Sequence, residues 1–92
     1  MRLDEQDIIN AVCLNMSTRK QLEPADIEVV LHWDEELGYS AEVFWGERSQ
    51  VLIEANLLEA IEQFMFTQMG ERVFRNQIKL DLEDEIVAYI ET

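Results

Sequence analysis

Basic residues are scarce in this chain: seven Lys and Arg stand against twenty Asp and Glu over 92 residues, a formal net charge of −13. Such a field repels phosphate, so nucleic-acid binding would need a concentrated basic stripe. Arg2, Arg19, Lys20, Arg48, Arg72, Arg75 and Lys79 are mostly scattered, with the last three in one stretch. DNA and RNA are therefore poor partners for it. Cysteine is nearly absent too. Cys13 alone cannot form an internal disulfide, and no basic stretch leads into an apolar run of signal-peptide length, so a reducing cytoplasm is the expected compartment. No apolar run approaches the roughly 20 residues that a helix needs to cross a bilayer. Pro24, Gly38, Gly46 and Gly70 stand singly, which leaves no linker, repeat or low-complexity tract. One domain over residues 1–92 is expected, and a hydrophobic content of 48% gives it a core without disulfide or metal staples.

What is present divides cleanly. From about Asp4 to Lys20, Ile8, Ile9, Val12, Cys13 and Met16 recur at helical spacing. Asp4 is placed to cap, Glu5 and Asp7 suit the positive end of the helix dipole, and Arg19 and Lys20 suit the negative end. After Pro24 the period changes to two. Ile27, Val29, Leu31 and Trp33 alternate with Glu28, Val30, His32 and Asp34, and beyond the acidic turn Asp34 to Gly38 a second alternation puts Tyr39, Ala41, Val43 and Trp45 on one face. Pairing Trp33 with Tyr39 aligns Leu31 with Ala41, Val29 with Val43 and Ile27 with Trp45, which predicts a hairpin. A three-residue turn at Gly46 to Arg48 predicts a third strand, Ser49 to Ile53, with Val43 facing Val51 and Ala41 facing Ile53. Asn56 and Glu59 have the form of a capping box opening a helix to about Met69, closed by Gly70. The apolar arc of that helix is wider than one sheet buries, with Glu59, Glu62, Gln63, Thr67 and Gln68 left for solvent. Finally, Ile78, Leu80 and Leu82 alternate ahead of Ile86, Ala88 and Ile90, the pattern of a second hairpin; a short helix from about Asp84 also fits Ile86, Val87, Tyr89 and Ile90. The expected class is α+β: helix, three-stranded antiparallel meander, helix, C-terminal β-hairpin.

The chemistry-bearing residues do not assemble into a catalytic set. His32 stands beside Asp34, Glu35 and Glu36, but a histidine base needs an orienter and a reacting group, and a transition-metal site needs three or four ligands. Strand alternation puts His32 opposite Ser40 and away from Trp33, half-exposed at the sheet end. The turn Asp34 to Gly38 lacks the alternating oxygen ligands of a calcium loop. Cys13 lies on the buried stripe as a small hydrophobe. Trp33, Tyr39 and Trp45 are expected to cluster at one end of the first hairpin as core. The other face of the sheet brings Val30, Phe44 and Leu52 among Glu28, His32, Glu42 and Glu54, an apolar patch rimmed by acids. Helix, meander, helix is also the order of double-stranded RNA-binding domains, yet Glu54, Asn56 and Glu59 occupy the helix start where those domains present lysines.

Three segments carry a family resemblance: Gln6 to Leu14, Trp33 to Val43 and Gln50 to Leu57. Across most of its length the chain resembles the YxcD-like family of small uncharacterised proteins of Bacillus and its relatives. The resemblance implies a bacterial cytosolic setting and an α+β fold, and it supplies no functional residues.

The expectation is thus a non-enzyme without cofactor or metal. It is read as a protein-interaction module that meets a basic protein partner or a second copy of itself through Val30, Glu42, Phe44, Leu52 and Phe66. Two alternatives accompany it: a small-ligand or metal site around His32, Asp34 and Tyr39, and an acidic mimic of nucleic acid that occupies a basic protein.

Overall fold

The computed structural model describes residues 1–91. Helix α1 spans Glu5–Lys20. The Asp4 carboxylate accepts from the Asp7 N–H at 2.9 Å, and the Asp7 carboxylate accepts from the Asp4 N–H at 3.2 Å, so two of the four orphan donors of the helix start are satisfied reciprocally. Its buried stripe is Ile8, Ala11, Val12, Asn15 and Met16, with Ile9 and Cys13 half-buried on its flank. The helix ends at Gln21 in the left-handed region, φ 57° and ψ 49°, and the Gln21 N–H returns to the Ser17 carbonyl. A single 3₁₀ turn, Pro24–Asp26, then sets the chain into strand geometry.

Strands β2 (Ile27–Asp34) and β3 (Gly38–Trp45) pair in the register that the alternation predicts, from Trp33 with Tyr39 to Ile27 with Trp45. Strand β4 (Arg48–Ile53) completes the meander, and here the register differs from expectation by one residue. Val43 faces Gln50 and Ala41 faces Leu52. The cause is the turn. Trp45 pairs with Arg48, which leaves two residues, Gly46 and Glu47, in the connection rather than three. Gly46 has φ +57° at the first of these positions, where a type II′ hairpin turn requires glycine. A one-residue slip exchanges faces along a strand, so Leu52 enters the core at 1% exposure and Val51 and Ile53 turn outward.

Helix α2 (Glu54–Met69) follows β4 without a loop and starts two residues before the expected Asn56. Asn56 sits in the first turn, where its side-chain oxygen accepts from the Ile53 N–H at 3.0 Å. At the other end Gly70, φ +69°, donates to the Met65 carbonyl. After a second 3₁₀ turn, Arg75–Gln77, strands β5 (Ile78–Leu82) and β6 (Ile86–Ile90) form the C-terminal hairpin, pairing Ile78 with Ile90 and Leu80 with Ala88. The alternative of a helix from Asp84 is not adopted. Ahead of α1, strand β1 (Arg2–Leu3) pairs with the other side of β6.

The molecule thus carries two antiparallel three-stranded sheets, ordered β2-β3-β4 and β1-β6-β5. Helix α1 packs on β2, β6 and β1, and α2 packs on α1, β3 and β4. One hydrophobic cluster joins both helices and both sheets, through Ile8, Met16, Val43, Leu52, Ile61, Met65, Leu80 and Ala88 among others. At about 25 cal/mol per Å² of apolar surface, this shared core is the main term holding the sheets together.

Candidate functional site

The meander has an inner face on the helices and an outer face that none of the described elements covers. Register fixes what the outer face carries. Three rows run across β2, β3 and β4: Glu28, Phe44 and Ser49; Val30, Glu42 and Val51; His32, Ser40 and Ile53. Val51 and Ile53 are 64% and 62% exposed and Val30 is 40% exposed, while Phe44 is half-buried. Leucine, isoleucine and valine left this open on a sheet face are unusual when they are contiguous rather than scattered. Of the residues expected here, Val30, Glu42 and Phe44 share the face. Leu52 does not, and its place is taken by Val51 and Ile53, which the three-residue turn assignment hid. The Gly46-Glu47 pair was the signal that would have found them.

The His32 region gathers no site. His32 Nε2 lies 3.7 Å from Glu42 Oε1 with both side chains largely open to solvent. The Asp34 carboxylate is taken up by its own turn, accepting from the Glu36 N–H at 2.7 Å and the Leu37 N–H at 3.2 Å. Tyr39 projects from the opposite face of β3, where burial first, and then the charges of Asp81 and Glu54, push its phenol above its ordinary pKa. Among the described residues no three His, Cys, Asp or Glu side chains converge as metal ligands would. Cys13 is half-buried, its thiol donates to the Pro24 carbonyl at 3.4 Å, and burial raises its pKa, all of which keep it protonated and unreactive. The expected aromatic cluster is divided: Trp33 and Tyr39 lie at the turn end of the hairpin, whereas Trp45 lies at the far end opposite Ile27, with the Lys20 ammonium 5.9 Å from its ring centre. Eight-residue strands at about 3.3 Å per residue separate the two ends by roughly 20 Å.

A second apolar surface lies along α2. Phe66 is 56% exposed, as the width of the apolar arc predicts, and Met69 and Phe74 are similarly open. Phe66, Val73 and Phe74 border an open groove of about 360 Å³ together with Glu59, Glu62 and Gln63. This groove already holds cations of its own chain. The Arg72 guanidinium sits 5.4 Å from the Phe66 ring centre, and Arg75 pairs with Glu62 at 3.4 Å. The outer face of the meander has no comparable internal occupant, which makes it the stronger candidate.

The known proteins that resemble this chain carry no described activity. The chain is similar to the uncharacterized protein YxcD of Bacillus subtilis (strain 168), 31% identical over 64 residues, which cover 68% of this chain and 63% of that protein. The match therefore spans a little under two thirds of the relative's length. No solved structure matches the chain. Residues 1–85 match the family described as "protein of unknown function (DUF2653)", and the chain belongs to that family.

Proposed function

We propose that this protein is a protein-interaction module whose docking surface is the outer face of the meander. The observation that carries the reading is the exposure of Val51 and Ile53 side by side on β4, with Val30 beyond Glu42 on β2, on a face that the chain's own elements leave open. Burying such a group on a partner returns the hydrophobic free energy that folding leaves unclaimed, on the order of 1.5 kcal/mol or more per fully covered side chain. Electrostatics sets the partner's character. The face carries Glu28 and Glu42, with His32 beside Glu42, within a chain of net charge −13. A partner with an apolar patch and a basic rim complements both features and repels other acidic proteins. The test is cross-linked capture from a Bacillus lysate with three baits: the native chain, Val30→Glu with Ile53→Glu, and Phe66→Ser. Proteins held by the native bait should be lost with the outer-face variant and retained with the α2 variant. An unchanged captured set with the outer-face variant, or no enrichment over the bare matrix, would sink the reading.

A further inference from the structure

The groove along α2 sets two aromatic rings beside two carboxylates. Helical spacing puts Glu59, Glu62 and Phe66 on one stripe of the helix, and the segment after Gly70 lays Arg72, Val73 and Phe74 alongside it. Val73 is buried and roots that segment, while the Phe66 and Phe74 rings stay more than half exposed. A ring face and a carboxylate both attract cations, and an arginine guanidinium satisfies them together, because its plane stacks on the ring while its N–H fork meets the acid. The chain's own arginines show this preference. Arg72 lies 5.4 Å from the Phe66 ring centre and Arg75 lies 3.4 Å from Glu62, so two of seven bases are engaged here. They take up one ring and one acid. Among the described residues no cation lies over Phe74, and Glu59 is in no ion pair. Lys79, the next base along the chain, stands on β5 and borders a different hollow.

We propose that Phe74 and Glu59 receive an arginine side chain from an extended basic segment of another protein, which lies in the groove beside Arg72. Charge complementarity selects this occupant. The open ring and the open acid repeat the two groups that the chain's own guanidiniums already hold, and the net charge of −13 draws a basic segment toward them. Lysine fits less well, since its compact and strongly hydrated ammonium neither stacks nor forks. The groove measures about 360 Å³ and is open, so a segment that continues past its anchoring side chain suits it better than a small cation, which would stay largely in water. This site goes beyond the outer-face reading and stands independently of it. Phe66 is already engaged by Arg72, so the new contact is carried by Phe74 and Glu59.

Fluorescence anisotropy with the full chain near physiological salt tests it, using a labelled peptide in which arginine and alanine alternate. The probe should bind, and a lysine counterpart of equal charge should bind about threefold or more weakly. Phe74→Ala and Glu59→Gln should each lower the affinity about threefold, the order expected of an exposed cation–ring contact and an exposed ion pair. Glu35→Gln, in the turn between β2 and β3, removes the same charge away from the groove and should change nothing. Val51→Ser with Ile53→Ser, on the outer face, should change nothing either. All of these positions are exposed, and circular dichroism checks that each variant folds. Absence of binding overturns the proposal. Equal binding of the lysine probe, or an equal loss with Glu35→Gln, also overturns it, because either result assigns the attraction to diffuse charge. If free arginine amide binds as tightly as the peptide, the groove takes a small cation and the segment is refuted. Loss with the Val51 and Ile53 variant places the peptide on the outer face, which overturns the groove site and leaves the outer-face reading standing.

Discussion

Gln21 closes α1 with φ 57° and ψ 49°, the left-handed conformation that crowds Cβ against the backbone and costs an L side chain about 1 kcal/mol or somewhat more. The conformation is imposed by its neighbours: the Gln21 and Leu22 N–H groups both return to the Ser17 carbonyl, and the Ser17 hydroxyl donates to the Leu22 carbonyl. Helix ends of this kind usually recruit glycine, as α2 does at Gly70. Gln21→Gly removes the steric cost, and its added freedom in the unfolded chain returns part of the gain. The net expectation is a stabilisation of about 0.5 kcal/mol, read as a higher urea midpoint at unchanged m-value, with Gln21→Val moving the midpoint the other way. A lower midpoint for the glycine variant would mean that the glutamine side chain contributes more than its backbone costs. Nothing in the composition around residue 21 announces this cap. It becomes visible only when the Ser17 and Leu22 bonds are seen to hold the turn.

Between elements, the most informative contact joins α1 to α2. Asn15 is the one buried polar side chain among the described residues, 5% exposed, and its amide donates to the Gln63 side-chain oxygen across the helix pair. A buried amide must be paired or it costs about 1 to 3 kcal/mol, whereas half-buried Gln63 can turn to water if its partner is lost. Asn15→Ala should therefore destabilise by about 1 to 2 kcal/mol and Gln63→Ala by at least as much, because the second strands Asn15. A double-mutant cycle in chemical denaturation should give a coupling energy near 1 kcal/mol; strict additivity would show that the helices are held by packing alone.

The stripe read from the sequence, Ile8, Ile9, Val12, Cys13 and Met16, passed over Asn15, whose polarity argues for solvent and whose partner lies 48 residues away. The same mixture recurs elsewhere. Alternation gave the β2–β3 and β5–β6 registers because each stripe has one consistent apolar face. The β3–β4 register depended on the length of one turn, and a single residue there moved Leu52 inward and Val51 and Ile53 outward. Strand β6 read as helix or strand because Ile86, Val87, Ala88, Tyr89 and Ile90 run nearly unbroken. That is the signature of a central strand buried on both sides, and Val87 is fully buried opposite Ile86, Ala88 and Ile90. Strand β1 is two residues long and has no period to detect. Its trace in the sequence is Leu3 just before the Asp4 cap, the position that with Ile8 makes a hydrophobic staple; both are buried in the common core.

For the molecule as a whole, charge is the dominant long-range term. Twenty acids face seven bases, and the Lys and Arg ion pairs among the described residues, Arg2–Glu83 and Arg75–Glu62, are exposed. Such pairs recover little. The radius of gyration is 12.5 Å, so at about 0.01 M salt, with a screening length of roughly 30 Å, every acid feels nearly every other. At about 0.15 M, where the screening length is near 8 Å, only neighbours interact. The unfolded chain spreads the same charge over a larger volume, so self-repulsion penalises the folded state and salt relieves it. Melting temperature should rise by about 5 °C or more between those salt concentrations, equivalent to a stabilisation on the order of 1 kcal/mol in a domain of this size. Hydrophobic strengthening by excluded salts would give the same sign, and two comparisons separate the causes. Screening depends on ionic strength, so sodium chloride and sodium sulfate matched in ionic strength should give similar rises, whereas surface exclusion favours sulfate. The second comparison uses Glu35→Lys with Glu36→Lys in the exposed turn between β2 and β3, where the Asp34 carboxylate, not these side chains, holds the turn. Each reversal removes an acid and adds a base, so the variant should melt higher than the native chain at low salt and gain less from added salt. If both chains follow the same salt curve, diffuse repulsion is not the cause, and the acidity acts on partners without affecting the fold.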